Sequence, residues 1–159
     1  MTHDDGGTAA VTTLVMLPLL LVVLVGVLEL GALRAVAYRA AAAADLATIV
    51  AVNDQDQGEL VRTGTLRLTA DAAHTARDYF ARNLSATAPA LASDVTEIAA
   101  AADIASFPTG PSVDPRTGAR YDRPTVRLIA SVPVRTPGFA MLLMPGVTTI
   151  VIRSASSAR

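Results

Sequence analysis

The sequence predicts an α+β protein: one long N-terminal helix that crosses a membrane, followed by a small antiparallel sheet domain with one further helix. Three observations carry this reading. An uncharged apolar run fills residues 6–28, an alanine-rich stretch without Gly or Pro continues from Ala32 to Val52, and residues 126–135 alternate with a period of two.

The apolar run comes first. Ala9 to Leu28 holds about fourteen Leu, Val and Met residues, which at −0.3 to −0.6 kcal/mol each favour membrane insertion by roughly −4 to −8 kcal/mol before penalties for Thr12, Thr13, Pro18 and Gly26. Its length matches the roughly 20 residues that cross a hydrocarbon core of about 30 Å. Pro18 removes one backbone donor and predicts a kink, which membrane helices tolerate. A cleaved secretory signal would want a basic start and a small-x-small site. Here Asp4 and Asp5 precede the run, and Glu29, Leu30, Gly31 and Ala32 follow it, so a retained span is expected.

Beyond the run, helix-favouring sequence continues through Val52, giving a rod of about 60 Å of which only half is needed for the bilayer. Leu33, Val36, Ala37, Ala40, Ala44 and Ala47 recur at three- and four-residue steps as a narrow stripe suited to close helix packing. The polar stretch from Asn53 to Gly58 ends the rod.

A second helix is expected from about Thr69, capped by its hydroxyl, through Ala72, Ala73, Ala76, Tyr79 and Phe80 to Leu84. Residues 95–107 are a weak strand candidate, because Ala99 to Ala102 suits a helix equally well. Ser106 to Pro124, dense in Pro, Gly, Asp and Arg, reads as an exposed loop between strands. Val126, Leu128, Ala130, Val132 and Val134 then form the buried face of a strand in which Pro133 favours an edge position. Phe139 to Met144 suggests a helical turn and Val147 to Ile152 a closing strand. The expected organisation is therefore a leader over residues 1–7, a transmembrane helix and stalk over 8–52, and an α+β domain over 53–159.

Composition narrows the function. Net charge is −1, with 13 basic and 14 acidic residues dispersed along the chain, so no nucleic-acid partner is expected. All basic residues are arginine. The chain has no cysteine, which excludes disulfides, thiolate metal sites and cysteine nucleophiles. No nucleophile elbow, phosphate loop, dinucleotide fingerprint or zinc-protease helix is present, so neither catalysis nor a cofactor is expected.

Three weaker constellations read as solvated surface. Asp71, His74 and Asp78 share a helix face but lack a fourth metal ligand. Asp54 and Asp56 beside Gly58 miss the ligand spacing of a calcium loop. Arg116, Arg120 and Arg123 are interleaved with Asp114 and Asp122. Glu29, at the end of the apolar run, is either an interfacial carboxylate in reach of water or a helix–helix contact.

Gly7 followed by Thr8, Ala9, Ala10 and Val11, then Leu17-Pro18-Leu19-Leu20, then Leu28-Glu29-Leu30-Gly31, resembles the TadE-like pilus assembly proteins, the minor pilin-like subunits of tight-adherence secretion systems. The strand from Val126 to Val134, the Pro145-Gly146 turn and the closing Ile150 to Ala158 resemble that family's final hairpin. The resemblance implies a pilin-like fold, no enzymatic activity, and cleavage by a prepilin peptidase after Gly7 to leave Thr8 at the N-terminus. It implies helix packing or assembly contacts through Thr12, Pro18, Glu29 and Gly31, and as partners the membrane, other pilin-like subunits and tight-adherence secretion components.

The chain departs from the pattern at two places. Asp4 and Asp5 stand where family leaders are basic, and Thr12 stands where pilin-like subunits carry the glutamate that neutralises a neighbour's N-terminal amine. Threonine has no charge for that role, which points to a minor or accessory subunit. Charge counting, with Arg34 and Arg39 after the span and no Lys or Arg before it, nominally favours a cytoplasmic C-terminal domain. The resemblance implies an extracytoplasmic one on a single-pass chain, and that orientation is expected here.

Overall fold

The structure is a computed structural model that describes residues 5–158, with the side chains of residues 5–10 left out. Helix α1 (Asp5–Val52) runs unbroken for 48 residues, about 72 Å at 1.5 Å per residue. It is followed by α2 (Gln57–Thr63), α3 (Ala72–Leu84), a 3-10 turn (Ser85–Ala90), α4 (Val95–Ala101) and the strands β1 (Asp103–Phe107), β2 (Ser112–Val113), β3 (Arg120–Tyr121) and β4 (Thr125–Arg135). A short α5 (Pro137–Met141) leads into β5 (Val147–Ser157). The α+β class stands, although the domain carries several short helices rather than one.

Strands β1, β4 and β5 form one antiparallel sheet in the order β1-β4-β5, and β2 pairs with β3 in a separate hairpin. Sheet and helices make two layers. Alternation in β4 and β5 directs Val126, Leu128, Ala130, Val132, Val134 and Ile152 to one buried face, which packs on α1 and α3. From α1 that core receives Val36, Ala40, Ala43, Ala44 and Ala47. From α3 it receives Phe80 and Leu84, while Ala72 and Ala76 on the same i, i+4 row join a second cluster with Ala51, Val52 and Leu68. Alanine has little to bury, so its contribution is proximity: it lets the backbone of α1 approach, and Phe80 and the branched residues of β4 supply most of the apolar area.

One polar contact sits inside this interface. Thr48 is fully buried, with its hydroxyl 2.9 Å from both Ser154 Oγ and Ser156 Oγ. The same hydroxyl donates to Asp45 O at 3.0 Å, so it accepts from the two serines and its capacity is filled. The clamp sets the height at which β5 meets α1.

Several local expectations are corrected. The Thr69 hydroxyl does not cap the second helix: Thr69 Oγ1 is buried without a hydrogen-bond partner, and α3 starts three residues later. Residues 95–107 divide, with Asp94 capping α4 through the Thr96 N–H at 2.7 Å before β1 begins. The alanine run went to the helix, and β-branched Val95, Thr96 and Ile98 went with it against their own propensity. Helix α2 emerges from the polar stretch after Val52 because Asp56 accepts the Glu59 N–H at 2.9 Å and Gly64 ends the helix at φ 71°, a left-handed conformation that glycine adopts without strain.

Strand β4 is central, contrary to the edge position expected from Pro133. The reason lies in the length of β1, which covers only Thr125 to Ile129 of its neighbour. Past that point the flank of β4 is open except near Leu91, where Pro133 O accepts the Ala92 N–H at 2.9 Å. A residue's N and O point to the same side of a strand, so the missing N–H of Pro133 falls on that open flank and costs no ladder bond.

Candidate assembly surface on the apolar helix

Helix α1 has two halves with different surroundings. Every residue from Val11 to Leu24 is exposed, Val25, Gly26 and Glu29 are half-buried, and full burial against the domain begins at Val36. The alanine stripe of the distal half packs closely as expected, but its partners are α3, β4 and β5 of the same chain. It is therefore spent within the domain, whereas the leucine- and valine-rich proximal half keeps its side chains exposed.

Gly7 and Thr8 lie in the first turns of α1, where the backbone is helical and the side chains are outside the described residues. Thr12 is exposed on the apolar half, and the helix passes through Pro18 without interruption. Gly31 is exposed, and a Cβ there would meet nothing within 4 Å, so it makes no close approach within the chain. These positions do not form one patch. At 3.6 residues per turn Pro18 and Glu29 fall within about 20° of each other, whereas Gly31 is displaced by about 160°.

Glu29 is half-buried and has a partner on the domain: its Oε2 accepts the Gly138 N–H at 3.2 Å. A Cβ at Gly138 would lie 2.6 Å from that oxygen and 3.0 Å from Val25 Cγ1, so a side chain there would displace the Glu29 carboxylate from its contact. Glu29 thus touches α5 of its own chain and keeps part of its surface accessible.

The loop expected to be solvated is partly folded. The β2–β3 hairpin covers the outer sheet face over the first half of β4, with Tyr121 against Phe107 at a ring-centroid distance of 5.0 Å. Beneath it Arg127, 5% exposed, donates from Nη1 to Asp103 Oδ2 at 2.8 Å and holds Nε 2.8 Å from Asp114 Oδ2, a charge contact without hydrogen-bond alignment. Arg116 Nη1 pairs with the same Asp103 oxygen. Asp114 is fully buried and accepts the Arg116 N–H at 2.9 Å and the Thr117 hydroxyl at 2.6 Å.

Both carboxyls are held below the usual carboxylate range, Asp103 chiefly by the Arg127 hydrogen bond and Asp114 chiefly by the Thr117 hydroxyl. Burial disfavours the Arg127 charge, yet the Asp103 hydrogen bond and the charges of Asp103 and Asp114 raise its pKa overall. Groups pushed this way remain ionised at neutral pH, which suits an ion-pair lock and not proton transfer. Asp71, His74 and Asp78 remain a surface feature: His74 Nε2 lies 3.4 Å from Asp78 Oδ2, and both side chains are exposed.

The residues that sequence reasoning missed are Thr48, Arg127 and Gly138. Thr48 interrupts the alanine stripe, and Arg127 sits in an apolar strand, so each was visible as a local exception. Gly138 carried no such signal, because its role depends on a helix more than 100 positions away.

Together these features define a small α+β domain built around the distal half of a helix whose proximal half is long and apolar enough to cross a membrane. No family model, curated protein or solved structure matches this chain.

Proposed function

We propose that this chain is a non-enzymatic, minor pilin-like subunit that supports assembly of an adhesive pilus, or a related secretion system, of the tight-adherence type. In this reading α1 is a single-pass anchor in the cell membrane, and the domain from Asn53 onward lies on the extracytoplasmic side. The observation that carries it is the divided α1: a proximal half with its apolar side chains exposed continues without a break into a distal half that forms the spine of a sheet domain. An exposed leucine and valine surface of this length needs lipid or neighbouring apolar helices. The spacing of Gly7, Leu17-Pro18-Leu19 and Leu28-Glu29-Leu30-Gly31 supplies the pilin-like character.

The expected outcome is a mature native chain that begins at Thr8, measured by mass spectrometry of the purified protein, and that co-purifies with other pilin-like subunits. A native chain retaining the residues ahead of Thr8 overturns the processing step.

A second reading is favoured by one observation. The alanine stripe most suited to helix–helix assembly is consumed within the domain. A membrane-tethered extracytoplasmic binding domain, with neither processing nor filament, fits that arrangement. It predicts an uncut N-terminus and a chain that purifies without pilin-like partners.

A further inference from the structure

The connection from β4 to β5 is built to expose apolar side chains. No charged residue occurs from Thr136 to Ile152. Met141 is 81% exposed, Leu143 98% and Met144 53%. The turn is closed on itself and is not a loose excursion: the Thr136 N–H donates to Gly146 O at 2.9 Å, the Thr136 hydroxyl to Pro145 O at 2.9 Å, and the Met144 N–H to Phe139 O at 3.0 Å. Such a tip facing water leaves apolar area unburied for no structural gain.

Its place in the fold says what covers it. Through Gly138 the tip rests on α1 at Val25 and Glu29. Val25 lies inside the uncharged run of residues 6–28, three residues before its end, which is about 4.5 Å along the helix axis. Anything seated beside Val25 shares its depth. With the run spanning the hydrocarbon core, that depth is the boundary between acyl chains and headgroups, where interfacial elements bury apolar side chains by about 5–10 Å.

We propose that the β4–β5 tip, residues 137–144, is a second membrane contact: Met141, Leu143 and Met144 enter the lipid interface beside α1, while the Glu29–Gly138 hydrogen bond docks the tip to the helix. The occupant is the bilayer itself. With no cation on the tip, insertion is driven by apolar burial, so zwitterionic lipid suffices. Two attachments fix the tilt and rotation of the domain on the membrane, which one helix alone leaves free. The inference rests on the reading of α1 as a membrane span.

The chain's lack of cysteine allows a direct test. Leu143→Cys, Val23→Cys and Val61→Cys, each in the full chain, are labelled with a polarity-sensitive fluorophore and reconstituted into phosphatidylcholine vesicles carrying doxyl lipid. Val23 is exposed on the apolar half of α1, and Val61 is exposed on α2, which follows the far end of that helix. The expected result is blue-shifted emission and several-fold stronger lipid quenching at positions 23 and 143 than at 61. Quenching at 23, with 143 behaving like 61, overturns the tip contact and leaves the membrane span intact. A blue shift at 143 without lipid quenching also overturns it, since protein would then be covering the tip. Absence of quenching at 23 overturns the membrane reading of α1, and the tip contact with it.

Discussion

A charge buried as deeply as that of Arg127 is stable only while its carboxylate partners stay ionised and in place. Arg127→Met removes the cation and leaves Asp103 and Asp114 facing each other beneath the hairpin. The expected cost is about 3–5 kcal/mol, read as a lowered thermal midpoint of the full chain in detergent micelles. A midpoint within error of the parent would show that the network is not a lock. The same network sets a pH dependence. Both carboxyls titrate below the usual value of about 3.9, so the unfolded chain takes up protons more readily than the folded one. Their contribution is complete above about pH 4 and disappears as pH falls through their folded values. Melting between pH 7 and pH 3 should show the midpoint declining at the acidic end, and Asp114→Asn should flatten that decline. Little of this was legible beforehand. Asp114 sits in a stretch whose Pro and Gly content signals an exposed loop, and only the hairpin turn lays it over a strand that begins 11 residues later.

Within α1, substitutions separate the packed face from the water-facing one. Ala44 has no accessible surface and lies among residues of α3 and the sheet, whereas Ala42 is exposed two positions away. Leucine is nearly as good a helix former as alanine, so the two substitutions differ mainly in packing. Ala44→Leu is expected to cost about 1–3 kcal/mol through overpacking, and Ala42→Leu to stay within about 0.5 kcal/mol. Equal midpoints for the two variants would contradict the assigned face. The stripe itself was readable from its spacing, because residues three and four apart must share a helix face. Its partner was not, since alanine is compatible with another helix, a sheet or a second subunit.

At the scale of the whole molecule, the proximal half of α1 adds nothing to the core. The buried apolar residues of α1 begin at Val36, and ahead of Leu33 the helix meets the β4–β5 tip at Val25 and Glu29. A chain beginning at Ala32 is therefore expected to fold as a soluble domain with cooperative thermal unfolding and native-like circular dichroism. It should also lose hydrogen-exchange protection at Gly138, whose acceptor has been removed. A molten product would show instead that the apolar half supports the domain.

What the sequence determined by itself is what local chemistry controls: a helix of membrane-spanning length, its continuation on alanine, a strand alternating from Val126 to Val134 and the break after Val52. Each depends on neighbours a few positions apart, where periodicity and propensity act directly. Tertiary structure decided the rest. It turned the alanine stripe inward, buried Arg127 and Asp114 under a hairpin, placed β4 at the centre with Pro133 on its open flank, and set the β4–β5 tip against Glu29. All of these are contacts between residues distant in the chain, and their energies exist only once the sheet has closed on α1.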